Sequence, residues 1–107
     1  MLYKFKSKVT GDLIMTAPVG DRMMTIIGRE PAAQGILLAD TMPAAIAALE
    51  AAVLAEEAER RRLEAEAAAE GRPAPRFEGV TLRQRAWPLI DMLRTVHAAG
   101  KDIVWGV

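Results

Sequence analysis

The chain has 107 residues, 51% hydrophobic but only 5% aromatic, with 14 basic residues cancelled by 14 acidic ones and no cysteine. A domain of this size buries one core, here resting mainly on Leu, Ile, Val and Met. Zero net charge excludes a surface tuned throughout to polyanions, and the lack of cysteine excludes disulfides, thiolate nucleophiles and sulfur-ligated zinc.

The opening MLYKFKSK alternates: Tyr3, Phe5 and Ser7 point one way, Leu2, Lys4, Lys6 and Lys8 the other. Val9-Thr10-Gly11-Asp12 reads as a turn and Leu13-Ile14-Met15 as a returning strand, so residues 1–16 are expected to form a β-hairpin. In TAPVGDRMMTIIG, Thr16 suits an N-cap, Pro18 a first turn and Gly28 a left-handed stop, while Val19, Met23, Ile26 and Ile27 share a helical face. Gly20 weakens that helix. Ile36-Leu37-Leu38 fits a short buried strand.

Asp40 or Thr41 caps the next helix, which runs to about Glu70, roughly 40 Å at the standard rise. Met42, Ile46, Leu49 and Val53 form its core seam, but Glu56 and Arg60 continue that seam with charge. Pairs four apart, Glu56 with Arg60, Glu57 with Arg61 and Arg62 with Glu66, support an exposed helix. Gly71, Pro73 and Pro75 then break it. Residues 56–76 read as a charged helical extension and Pro/Gly hinge on a single domain, 1–107. In the last segment Thr81 and Gln84 form a capping-box signature ahead of the stripe Leu82, Ala86, Leu89, Leu93 and Val96. Pro88 sits inside the stripe, so the helix either kinks at Trp87-Pro88 or starts anew there. Gly100 ends it, and Asp102–Val107 reads as a closing strand. Strands at both ends with helices between give an α+β two-layer sandwich. Its small mixed β-sheet (N-terminal hairpin, short middle strand, C-terminal strand) packs under three helices, with right-handed crossovers.

Lys4, Lys6 and Lys8 interrupt the N-terminus too early for a signal peptide. The most apolar run, MPAAIAALEAAVLA, is broken by Glu50 and is shorter than the roughly 20 residues of a membrane span. A soluble cytoplasmic protein is expected. His97 is the only histidine and Ser7 the only serine, and neither has metal-ligand or triad partners in sequence. Asp91 lies one residue off the apolar stripe and is expected in solvent. No phosphate loop or dinucleotide fingerprint occurs. The expectation is no enzyme, no cofactor and no metal.

Two clusters are candidate interaction sites. In the first strand, lysines beside rings suit base stacking, but alternation sends Tyr3 and Phe5 away from the amines, favouring rings under helices and lysines in water. In LRQRAWP, Arg83, Arg85 and Trp87 have the make-up of an interaction hot spot, and the arginines could hold an anion with free N–H groups at the helix start. The competing reading has Trp87 plugging the core at the kink and both arginines solvated.

The blocks MLYKFKSK…TGDLIM, IIGREPAAQGI, MPAAIAALEAAV and LRQRAWPLIDML…HAAGKDIVWGV together resemble a small bacterial family, domain of unknown function 1840. The likeness spans nearly the whole chain apart from about residues 56–76. It implies a stand-alone bacterial protein and carries no activity, ligand or catalytic residue. The residues themselves favour a non-enzymatic protein-interaction module, self-association included. The alternative is a binder of nucleic acid or another anion through Lys4, Lys6, Lys8, Arg83 and Arg85, with nucleic acid disfavoured by the charge balance.

Overall fold

The structure, a computed structural model, describes residues 2–107; Met1, which opens the predicted hairpin, lies outside them. Strands β1 (Leu2–Phe5) and β2 (Leu13–Thr16) precede helix α1 (Ala17–Ile26), and strand β3 (Gly35–Leu37) leads through a 3-10 turn at Ala39–Thr41 into helix α2 (Met42–Ala69). Helix α3 (Leu82–Ala98) and strand β4 (Ile103–Trp105) complete the chain. This is the α+β class expected, with three helices over short strands.

The strands form two antiparallel ribbons rather than a mixed sheet. β1 pairs with β2, Leu2 opposite Thr16 and Phe5 opposite Leu13, and β3 pairs with β4, Gly35 opposite Trp105 and Leu37 opposite Ile103. The ribbons join where Lys6 and Val104 exchange backbone hydrogen bonds of 2.8 and 2.9 Å, giving the spatial order β2-β1-β4-β3. Two helices lie between β3 and β4, an even number, so the chain re-enters running the other way. The right-handed rule for parallel crossovers therefore has nothing to act on.

Alternation in β1 works as the sequence implies. Tyr3 and Phe5 are fully buried, while Leu2 and Lys4 face outward. Trp105 joins them from β4, its ring 5.7 Å edge-on to Phe5 and 6.4 Å from Tyr3. Each polar tip has a partner: Trp105 Nε1 donates to the Ala32 carbonyl at 3.0 Å, and the Tyr3 hydroxyl donates to Asp21 Oδ1. Burial, followed by that carboxylate, raises the Tyr3 pKa, which keeps the phenol a neutral donor. The close approach of β1 to α1 explains Gly20, whose missing side chain makes room for the Tyr3 ring.

The helices cover this aromatic floor with Met23, Met24, Met42, Leu49, Val53, Leu89, Leu93 and Val96. Pro88 does not divide α3: the helix runs unbroken from Leu82 to Ala98, and the backbone bond Pro88 omits is on the exposed face. Gly28 and Gly100, at φ of 84° and 67°, close α1 and α3 with their own N–H and the next one bonded back to the last turn. No helix among the described residues is long and apolar enough to cross a membrane.

Candidate functional site: the Trp87 face of α2 and α3

Thr81 caps α3 as its sequence signature predicts: its hydroxyl accepts from Gln84 N–H at 3.1 Å, while the Gln84 side chain accepts from Thr81 N–H at 3.0 Å. That phase sets which side chains face inward. Ala86, Leu89 and Ile90 are buried, and Trp87, one step past Ala86, is turned outward with 52% of its surface exposed. The reading of Trp87 as a core plug is thereby overturned, because an unbroken helix keeps it off the buried stripe.

Around Trp87 the neighbours come from both helices. Arg83, one turn earlier, is held by Glu57 of α2 through two bonds of 2.8 and 2.9 Å. Arg94, two turns later, is held by Glu50 of α2 at 2.6 Å, its guanidinium 5.8 Å from the Trp87 ring centroid. Between the two ion pairs lies a small hollow of about 110 Å³ floored by Val53, Leu54 and Ile90, with Leu54 58% exposed. The sequence marks Arg83 and Trp87 but not Glu50, Leu54, Glu57 or Arg94. A seven-residue step from Trp87 would have found Arg94; the α2 residues are brought in only by the packing.

The start of α3 does not await an outside anion, contrary to one reading of Arg83 and Arg85. Glu56 of α2 already fills it, accepting from Leu82 N–H at 2.9 Å. The other contacts of this carboxylate are Arg22 of α1 at 3.3 Å and Arg60 at 3.4 Å, so one side chain ties all three helices. The Leu82 N–H, ahead of the two arginines, lowers the Glu56 pKa. A carboxylate on the core seam, which looks like a flaw in sequence, is the cap of the neighbouring helix. Glu57 turns to Arg83 rather than to the expected Arg61, and its pKa is lowered by that guanidinium.

These bonds carry a pH signature. With its folded pKa depressed, Glu56 contributes fully above the ordinary glutamate range, and the contribution fades as pH falls through the lowered value. Glu56→Gln is expected to cost about 1–2 kcal/mol near pH 7, the worth of a charge-assisted hydrogen bond left half-made. The gap between wild type and variant in urea midpoint should hold from pH 7 to 5 and narrow below 4. A gap that is flat to pH 3 rejects the assignment.

The remaining sequence candidates lie apart. Lys4 faces Asp12, Nζ to Oδ2 3.7 Å, on the side of β1 opposite Tyr3 and Phe5. Lys6 and Lys8 line an open hollow with Ile36, Lys101 and Val104, and Arg85 lies beside β2, on the other flank of α3 from Trp87. Rings and amines thus share no surface, and of the five cations only Lys6 and Lys8 lie together. Phe77, from the segment returning to α3, is covered by Arg60 at 4.6 Å. His97 and Asp91 are both exposed on α3, and no group of three metal-ligating side chains occurs among the described residues.

No curated protein and no solved structure matches the chain significantly. The family model described as Domain of unknown function (DUF1840) matches residues 1–105, the full extent of the sheet and helices that build the Trp87 face. The chain belongs to that family.

Proposed function

We propose that the protein is a non-enzymatic protein-interaction module that binds a second copy of itself through the α2/α3 face around Trp87. The observation that carries this is a half-exposed tryptophan set between two interhelical Arg–Glu pairs, beside an exposed leucine. Tryptophan and arginine are the side chains most often found to dominate binding energy when a partner dries them. The charges choose the occupant. Glu50 and Glu57 lie on α2 and Arg83 and Arg94 on α3, so a two-fold axis running along the helices sets the acids of one copy against the bases of the other. A neutral face offers little to a polyanion. The anionic-ligand alternative has less behind it, since Lys4 and Arg83 already face carboxylates.

Sedimentation of the wild-type chain across micromolar concentrations should show the mass rising from one chain toward two. Trp87→Ala is expected to weaken association at least about tenfold, or 1.4 kcal/mol. Because the ring contributes little to the core, the helical circular dichroism and urea midpoint should stay near wild type. A wild-type mass of one chain at every concentration ends this reading.

A further inference from the structure

The two outer edges of the strand array differ. At β3, the Ile36 carbonyl, which faces away from β4, is covered by the Arg29 guanidinium. At β2 no such cover exists among the described residues. Lys6 points its N–H and C=O at Val104, so by the two-residue period Tyr3 and Phe5 point theirs at β2, and their partners Met15 and Leu13 point back. Ile14 N–H, Ile14 C=O and Thr16 N–H are then left on the outside. Among the described residues no turn, loop or side-chain bond reaches them. The strand reads LIMT, with no lysine, proline or bulge of the sort that normally guards an edge. Ile14 is 56% exposed.

Beside this edge runs a hollow of about 350 Å³ whose far wall is Val80, Gln84, Arg85 and Pro88. Four residues of strand offer about 13 Å of edge, enough for an extended peptide of four or five residues. The charge at its side is one-signed: the Arg85 side chain is exposed and makes no hydrogen bond or ion pair among the described residues, whereas Arg83 and Arg94 are held by glutamates. We infer that the groove between the β2 edge and the start of α3 binds an extended, acid-bearing peptide segment of another protein. The segment adds as a strand to Ile14 and Thr16 and sets a carboxylate against Arg85. A second copy of β2 is a poor occupant, because two edges paired about a two-fold axis bring both Arg85 side chains to one seam. The site lies on the opposite flank of α3 from Trp87 and stands independently of the self-association reading.

The test is selection of a displayed random heptapeptide library on the intact chain. Enriched sequences should alternate apolar residues and carry Asp or Glu at a fixed offset. Synthetic versions should shift the Ile14 and Thr16 amide resonances in nitrogen-edited spectra. Arg85→Glu should weaken binding about tenfold or more, and Ile14→Pro, which removes the outward N–H without removing a hydrogen bond to β1, should abolish it with the helical dichroism unchanged. Trp87→Ala should bind as wild type. Absence of enrichment, enriched peptides that leave Ile14 and Thr16 unmoved, or equal binding to Arg85→Glu would each overturn the inference. So would concentration-dependent shifts at Ile14 without peptide, which would give the edge to a second copy.

Discussion

Trp105→Ala is expected to lower the stability of the fold by about 3–5 kcal/mol, the range for emptying the place of a fully buried large aromatic ring. Only 1% of the residue is exposed, and its side chain reaches β1, β3 and the loop before β3. Its ring packs against Phe5 and Tyr3 of β1, covers Gly35 of β3, and carries the Arg29 guanidinium 5.3 Å from its centroid. The Nε1–H pins the loop before β3 through Ala32. Truncation therefore opens a cavity and leaves the Ala32 carbonyl without its donor, and the two losses act on one ribbon. A small domain typically has only about 5–15 kcal/mol in hand, so the variant should sit close to unfolding at room temperature. Guanidinium titration followed by far-ultraviolet dichroism reads this directly, whereas fluorescence would mix in Trp87. Trp105→Phe keeps most of the ring contacts but not the N–H bond, and should fall between. A loss under about 1 kcal/mol for the alanine variant would show that the aromatic floor is not the centre of the core.

Why these rings were legible in the sequence, and Glu56 was not, comes down to the range of the interactions. Period-two alternation in LYKF and the capping signature at Thr81 and Gln84 are local rules, satisfied within a few residues of chain. They placed Tyr3, Phe5 and the start of α3 correctly, and the seam Met42, Ile46, Leu49 and Val53 followed from helical spacing alone, although Ile46 is only partly buried. Glu56 breaks the local rule on α2 because its partner, Leu82 N–H, is 26 residues away and belongs to another helix. Trp87 is a subtler case. The penalty for proline inside a helix pointed to a kink with the ring turned inward, but Pro88 lies on the solvent face, where the missing N–H leaves nothing buried unpaired. Antiparallel pairing of β3 with β4 was hidden for a related reason. It depends on how α2 and α3 fold back on each other, information no strand carries in its own residues.

Gly20→Ala brings the same contrast to a single methyl group, with the sign at stake. By helix propensity alone, alanine in place of glycine inside α1 should stabilise by about 1 kcal/mol. The packing opposes it. A Cβ at position 20 would lie 2.0 Å from Tyr3 Cδ2 and 2.5 Å from Cγ, atoms at the root of the ring that cannot swing clear. The ring is held further by Phe5, stacked at 5.7 Å, and at its tip by the hydroxyl bond to Asp21. Overpacking of a tight core costs about 1–3 kcal/mol and more when the neighbour is pinned, so a net loss of about 2 kcal/mol is expected in urea unfolding. A double-mutant cycle with Tyr3→Ala separates the two effects. With the ring gone, the same methyl should become neutral or stabilising, leaving a coupling of about 2–3 kcal/mol between positions 3 and 20. Additive effects would mean that α1 stands off β1 and that Gly20 is merely tolerated. A strong coupling instead ties helix placement to the strand that carries the aromatic floor, and through that floor to Trp105 at the far end of the chain.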